Sequence, residues 1–288
     1  MPDLNDFSDG AHSCKVPAVS SRIRQFLQCV LRRTRLLSLA DTMRFQAQRA
    51  RLAGRNALFR RKHPGVATPP LALLYEIGGR IDLANYWQDG QVSSTFLVSE
   101  AAGWLEEGPC RVLDWGCGVA CVVRHMPVVC AAGSEIHGTD YNKEMIEWAE
   151  GAVAGVHFGH NQLLPPTQYG DGFFDWVYGL SVVTHLSEEV LEAWLSEFRR
   201  VLRPGGLLTL TTMGTRSEEA LLPAERAVYA ERGIVVRGQL DEGRKMYLAY
   251  HNPEYFRRTV ERDWEVVKFV PGGMPITQQD LWWLRKAK

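Results

Sequence analysis

The sequence contains no run of twenty apolar residues, which excludes a helix able to span a bilayer. It has no excess of charge. Its 33 basic and 33 acidic residues cancel, so no global field draws it to nucleic acid or membrane. Cysteine is present without pattern: Cys14, Cys29, Cys110, Cys117, Cys121 and Cys130 match no common zinc or redox spacing. Cys117, Cys121 and Cys130 lie close enough in sequence to offer soft ligands to arsenic(III) or zinc. Unpaired cysteines are commonly buried, however, and no metal is expected. A phosphate loop of the GKS type is also missing. The opening stretch MPDLNDFSDG carries acids where a signal peptide would carry positive charge, so the expected location is cytoplasmic.

Charge is balanced overall but not locally. From Arg22 to Lys62 there are twelve basic residues and one acid, Asp41. This stretch has no proline, and Ile23, Phe26, Leu27, Val30 and Leu31 recur at helical spacing, so a basic helical extension is expected over 21–62. Pro64, Pro69 and Pro70 end it, which suggests a boundary between an extension and linker (1–70) and a main domain (71–288). Within the main domain, one or two short helices precede an alternation of strands and helices. Strands are expected at 111–115, 136–139, 156–158, 174–180, 207–212, 264–270 and 281–285. Helices are expected opening at 120–125 and over 143–150, 188–202 and 218–232. That order argues for a Rossmann-like α/β fold: a seven-stranded, mostly parallel sheet with helices on both faces. The segment 233–250 breaks the alternation and reads as a hairpin or insertion that roofs a pocket.

Function is most legible in VLDWGCGVA, Val112 to Ala120. An apolar strand ends in an acid, Asp114, and Gly116-Cys117-Gly118 follows. Glycines there let backbone approach a ligand closely, and α/β sheets bind ligands beyond the carboxyl ends of their strands. A second acid, Asp140, closes the next strand, where it can accept hydrogen bonds from ribose hydroxyls. A dinucleotide would need a third glycine, but Cys121 stands at that position, and Asp114 would repel a pyrophosphate. The same acid would attract an ammonium group. The pattern therefore points to a nucleoside carrying a cationic amino acid, of which S-adenosyl-L-methionine is the example.

From about Leu71 onward the chain resembles the class I S-adenosylmethionine-dependent methyltransferases. VLDWGCG is similar to their first motif, HGTDYNKEMIEWAE to their second, and GHNQLLPP with GDGFFDWVYGLSVVTHLSEE to the region of their adenine contact and fourth strand. RRVLRPGGLLTLTT resembles the entry to their fifth strand. The C-terminal HNPEYFRRTV…WLRK matches a bacterial subgroup of mostly unassigned substrate. That subgroup continues the first motif as GCGCGR, and this chain departs from it with Val119-Ala120. The resemblance implies S-adenosyl-L-methionine as cofactor, with Asp114, Gly116, Cys117 and Gly118 at its methionine end and Asp140 on its ribose. Tyr141 or Met145 would pack near the adenine and Asn161 would meet its edge; Ser181 joins the cofactor-binding set.

Methyl transfer needs orientation and desolvation, and a base where the acceptor is a hydroxyl or protonated amine. Tyr178, Ser181, Thr184 and His185 follow strand four at the ligand end of the sheet. His185 and Tyr178 are the leading catalytic candidates there. His251, after the irregular segment, is a third. No NPPY amino-methylation motif is present. The expected function is O- or N-methylation of a small molecule or glycan. An RNA or protein methyltransferase docking through the basic helix is the alternative, as is an enzyme that binds the cofactor without transferring methyl groups. The basic helix is expected to pack on its own chain or form a homodimer; peripheral membrane contact is a further option, and nucleic acid a less favoured one.

Overall fold

A computed structural model describes residues 37–237 and 242–286. Two compact units are distinguished, Met1–Gln46 and Ala47–Lys288. The first helix, α1 (Leu37–Lys62), runs through the boundary; the part of the basic extension expected over 21–36 lies outside the described residues. Helix α2 (Leu71–Gly78) ends on Gly79 in the left-handed region, and α3 (Leu83–Ala101) is capped by Asp82, whose carboxylate accepts from the Ala84 and Asn85 amides.

Strands β1 (Arg111–Trp115), β2 (Glu135–Asp140), β3 (His157–His160), β4 (Phe174–Gly179) and β5 (Leu202–Thr212) then follow. A hairpin comes next, β6 (Ile234–Arg237) with β7 (Leu248–His251), and the last strands are β8 (Trp264–Val270) and β9 (Asp280–Lys286). The main sheet has the order β3-β2-β1-β4-β5-β9-β8. Its first five strands are parallel, and β9 is antiparallel to both neighbours. The seven-stranded, mostly parallel sheet read from the sequence is the observed one. Strand order reverses between β1 and β4, where neighbouring connections leave toward opposite faces and a crevice opens beyond the strand ends.

Strand alternation divides the core into two layers. Leu113, Trp115, Val177, Leu208, Trp282 and Leu284 face one side. There they meet α6 (Glu188–Val201) and α8 (Pro253–Val260). Val112, Ile136, Trp176, Tyr178, Leu281 and Trp283 face the other side, toward α3 and α5 (Lys143–Ala152). Helix α6 follows the sequence signals: Ser187 caps it, Glu188 and Glu189 fill its first turn, and Arg199 and Arg200 its last.

Several boundaries differ from expectation for local reasons. The stretch 120–125 forms a turn and one 3-10 turn before the four-residue α4 (Met126–Val129), since Pro127 fits only a helix start. Strand β5 begins at Leu202 because Leu202 already pairs with Phe174, and the Pro-Gly-Gly segment bulges before pairing resumes at Trp176 and Leu207. The 218–232 helix splits into a short 3-10 turn and α7 (Pro223–Arg232). Helix α8 was signalled by Asn252-Pro253, a cap followed by proline at the first helical position, and was not expected.

The packing does not divide at residue 70. Phe59 of α1 is buried with Leu74, Leu83, Tyr86, Val119 and Met145. Asn56, 3% exposed, donates to the Ile81 carbonyl (2.8 Å) and accepts from the Leu83 amide (3.0 Å). Residues 47–70 therefore belong to the same compact unit as the sheet. Asn56→Ala leaves both backbone groups buried without a partner. It is expected to lower stability by about 2 kcal/mol in urea titration, with the slope of the transition unchanged.

Candidate active site

The turn after β1 is built by backbone bonds to β2. The amides of Gly116 and Cys117 both donate to the Thr139 carbonyl, at 2.7 and 2.9 Å. Gly116 has φ 78° and Gly118 φ 54°, in the left-handed region that glycine enters without penalty. Ala120 follows at φ 55°, also in the left-handed region. The Asp140 carboxylate closes the turn: Oδ2 accepts from the Gly118 amide (2.9 Å) and Oδ1 from the Asn142 amide (2.7 Å). Asn142 in turn caps α5. Burial pushes the Asp140 carboxyl above its usual range, while these amides pull the other way. Each oxygen keeps lone-pair capacity for a ligand donor.

An open cleft lies at this point. Gly116, Gly118, Asp140, Tyr141, Met145, Asn161, Ser181 and His185 all line it. The Asn161 amide oxygen is buried without a partner, although its nitrogen donates to the Gln162 carbonyl (2.7 Å). Ser181 closes β4 at φ 62°. Its strained backbone is held by the Thr211 hydroxyl (2.7 Å), and its own hydroxyl bonds Gln279 (2.9 Å). His185 ends the 3-10 turn that follows. Its Nδ1 is 2.6 Å from the Tyr247 carbonyl. A carbonyl only accepts, so Nδ1 carries the proton and Nε2 keeps a lone pair in the neutral ring. Burial lowers the His185 pKa and the Tyr247 bond raises it; burial prevails.

A methyltransferase-domain model matches residues 112–206, from β1 into β5. A malonyl-[acyl-carrier protein] O-methyltransferase from Pseudescherichia vulneris is 30% identical over 125 residues, 43% of this chain. The chain spans about half the length of that curated relative, 47% of it. Among solved structures, an S-adenosylmethionine-dependent methyltransferase from Methanosarcina mazei has a TM-score of 0.51 at 17% identity, covering 65% of this chain and 97% of that one. The glycopeptide N-methyltransferase MtfA, solved with S-adenosyl-L-methionine, has a TM-score of 0.50 at 13% identity, covering 68% of this chain and 95% of that one.

Residues 112–206 thus match a methyltransferase domain, and the fold is that of solved S-adenosylmethionine-dependent methyltransferases.

The cofactor implied by that domain match and fold is S-adenosyl-L-methionine, and the residues present fit it. The cleft offers a carboxylate with spare acceptor capacity at Asp140 and an orphaned amide oxygen at Asn161.

Other candidates lie elsewhere in the fold. Asp114 does not line the cleft. It is 4% exposed, and burial, reinforced by the charge of Asp140, pushes its carboxyl up to about 8. The attraction of a cationic ligand by Asp114 is therefore not what shapes this crevice. Tyr178 pairs in register with Asp114 on the adjacent strand, so both side chains enter the same core layer. The Tyr178 hydroxyl sits beside the carboxyl without reaching hydrogen-bond geometry. Buried there, it is out of reach of a substrate, which corrects its reading as catalytic. Cys117 contributes its backbone to the turn, while its thiol packs against β2 at Gly138. Thr184 is buried and donates to the Ser181 carbonyl (2.7 Å).

The sequence missed Glu76 of α2 and Arg244 and Lys245 of the hairpin tip, all of which line the cleft. The only signal for Glu76 was a lone acid in an otherwise apolar helix. The roof expected from 233–250 does take shape as a hairpin, and its tip was legible only as an interruption of the pattern.

His251 faces away from the cleft, against the rings of Tyr255 and Phe256, and is fully buried. It cannot touch a substrate, which corrects its reading as catalytic. Neither ring nitrogen meets hydrogen-bond geometry. Burial depresses its pKa from 6.5 to about 4, with the Ala249 backbone offsetting a small part. The unfolded chain thus binds the proton more readily between these values. The contribution is complete above pH 6.5 and is lost as pH falls toward 4, by about 3 kcal/mol. Denaturant titrations of His251→Leu from pH 7 to 4 are expected to show a distinctly shallower loss of stability than the wild type.

Proposed function

We propose that the protein transfers a methyl group from S-adenosyl-L-methionine to an oxygen or nitrogen of a small molecule or a glycan unit. The observation that carries this reading is the Asp140-clamped glycine turn sharing one cleft with His185. Asp140 takes the ribose hydroxyls, Tyr141 and Met145 flank the adenine, and Asn161 meets its edge. Gly116 and Gly118 give the methionine end close access to backbone. Glu76 replaces Asp114 as the acid that meets the ammonium group.

The bound cofactor supplies an electrophilic methyl carbon on a sulfonium. Asp140, Asn161 and the glycine turn hold the cofactor, which would supply that methyl group to the acceptor's oxygen or nitrogen. The acceptor's proton passes to Nε2 of His185, whose other nitrogen is committed to Tyr247. Leu180, Val182 and Leu186 line the same wall and exclude water.

A small acceptor is supported by the roof over the cleft and by what the basic helix does with its arginines. Arg55 pairs with Asp82 (3.0 Å) and donates to Asn85 (3.2 Å), and Arg60 donates to Thr68 (3.1 Å). Two of the helix's arginines are thus engaged by their own chain, which favours the small acceptor over RNA docking through this helix.

The reading is tested with isotopically labelled S-adenosyl-L-methionine and a fractionated extract. Label is expected in the small-molecule or glycan fraction; label confined to RNA or protein would reject the acceptor class. Asp140→Ala is expected to weaken S-adenosylhomocysteine binding by about 100-fold in calorimetry; unchanged affinity would remove the ribose assignment. His185→Gln is expected to reduce kcat by about 10²–10⁴-fold with little effect on S-adenosylhomocysteine affinity. In the wild type, kcat/KM should rise with pH through a limb below 6.5, because the base must be neutral and its pKa is lowered. A limb above 6.5, or one retained in His185→Gln, would assign the proton to another group.

A further inference from the structure

Cys117, Cys121 and Cys130 are close in sequence but do not converge. Cys117 turns its thiol toward Gly138, and the Cys121 thiol donates to the Tyr86 carbonyl (3.2 Å). Cys130 meets Cys110 instead, at the opposite end of β1 from the glycine turn.

The backbone brings these two together. Helix α4 ends at Val129, and the Cys130 amide still donates to the Met126 carbonyl (2.9 Å). The chain then turns back. The Ser134 amide donates to the Ala131 carbonyl (3.1 Å), and Gly133, at φ 89°, lies against Pro109. Ser134 Oγ accepts from the Cys110 amide (3.1 Å) and stands 3.7 Å from Cys110 Sγ. The Glu135 amide closes the turn on the Cys110 carbonyl (2.9 Å). The turn after Cys130 is thus fixed to Cys110, and the two thiols lie side by side. Both cysteines are half-buried and unbridged.

Their surroundings differ. Cys110 lines an open surface depression with Arg111, Glu135, Asp175 and Arg203. Cys130 does not line it, and its thiol also reaches Met126 Sδ (4.0 Å). The neighbouring Cys130 thiol and the Ser134 hydroxyl draw the Cys110 pKa below the ordinary thiol range, against burial and the charge of Asp175. The same contact raises the Cys130 pKa. An accessible thiolate with a protonated thiol beside it reacts with peroxides and is then resolved by its neighbour.

We propose that Cys110 and Cys130 form a peroxide-reactive dithiol whose disulfide braces the segment that carries the glycine turn. The Cys110 thiolate attacks one peroxide oxygen. A sulfur–oxygen bond forms as the oxygen–oxygen bond breaks, and the departing hydroxide takes up a proton to leave as water. The Cys130 sulfur then attacks the sulfenic sulfur of Cys110. The disulfide forms as the sulfur–oxygen bond breaks, and the Cys130 proton leaves in a second water. The two thiols together lose two electrons, and one peroxide gains them. The bridge closes a loop over residues 110–130, which holds β1, the Gly116–Gly118 turn and α4, and such closure restricts the unfolded chain.

Peptide mapping of the full chain without reductant tests this. Reduced protein, freed of reductant, is exposed to hydrogen peroxide, alkylated and digested with trypsin, which cuts after Arg80, Arg111, Arg124 and Lys143. Cys110, the Cys117–Cys121 pair and Cys130 then fall in three different peptides. Ile81–Arg111 is expected joined to His125–Lys143, in the monomer band of a denaturing gel and separable by dithiothreitol. A link to Val112–Arg124, a link found only in dimers, or both peptides recovered alkylated after an exposure that fully oxidises glutathione overturns the proposal. In Cys130→Ser, dimedone is expected to trap a sulfenic acid on Cys110; no adduct there overturns Cys110 as the attacking thiol. Oxidation of the wild type is expected to raise the thermal midpoint by about 5 °C, reversibly with dithiothreitol and not in Cys130→Ser. A midpoint that does not rise overturns the bracing role.

Discussion

The two backbone amides held by the Asp140 carboxylate are the constraint on which the site depends. One belongs to Gly118 in the turn after β1, the other to Asn142 at the start of α5. A single side chain thus fixes the loop after one strand relative to the helix after its neighbour. Because it is buried, those bonds form in a medium where water competes poorly, and an unmade one would be costly. The same burial raises its pKa, so the group is tuned by a balance between desolvation and donors. A ligand hydroxyl that donates to it adds to the donor side of that balance and favours the charged form.

Around this clamp the fold supplies two walls of different origin. The floor and the nucleoside side come from the sheet itself, at the reversal of strand order between β1 and β4. The opposite wall is an insertion, the β6–β7 hairpin, anchored by its own small core of Leu221, Tyr229, Val235 and Tyr250. Its tip is tied to His185 and Ser187, so the loop that follows β4 and the roof are fixed together. Asp140 and the glycine turn thus sit on the sheet, and the residues of the opposite wall sit on an insertion.

Much of this could be read in advance. The span of β1 was exact, because an apolar run between Arg111 and Gly116 has few alternatives. Helix α6 declared its cap, its charged ends and its apolar stripe. Asp140 was recognisable from its place at the end of the second strand. The turn after Gly118 was less legible, since a proline at the second residue of the short helix α4 limits it in ways that periodicity does not register. Residues 47–70 read as part of an extension and linker because prolines mark boundaries, yet Asn56 and Phe59 bury themselves with α2 and α3.

The sequence by itself determined the order of strands and helices, the glycine turn and the acid beyond the second strand, since these follow from local spacing and backbone preference. Tertiary structure alone decided which candidates face the cleft. Asp114 and Tyr178 point inward because parallel register puts them side by side in one core layer, where burial keeps the acid largely protonated at neutral pH. His251 turns into the aromatic packing behind β7. Glu76 and Lys245, far apart along the chain, meet at one lip. Side-chain direction and long-range proximity depend on how layers pack, and no local pattern in the chain encodes that.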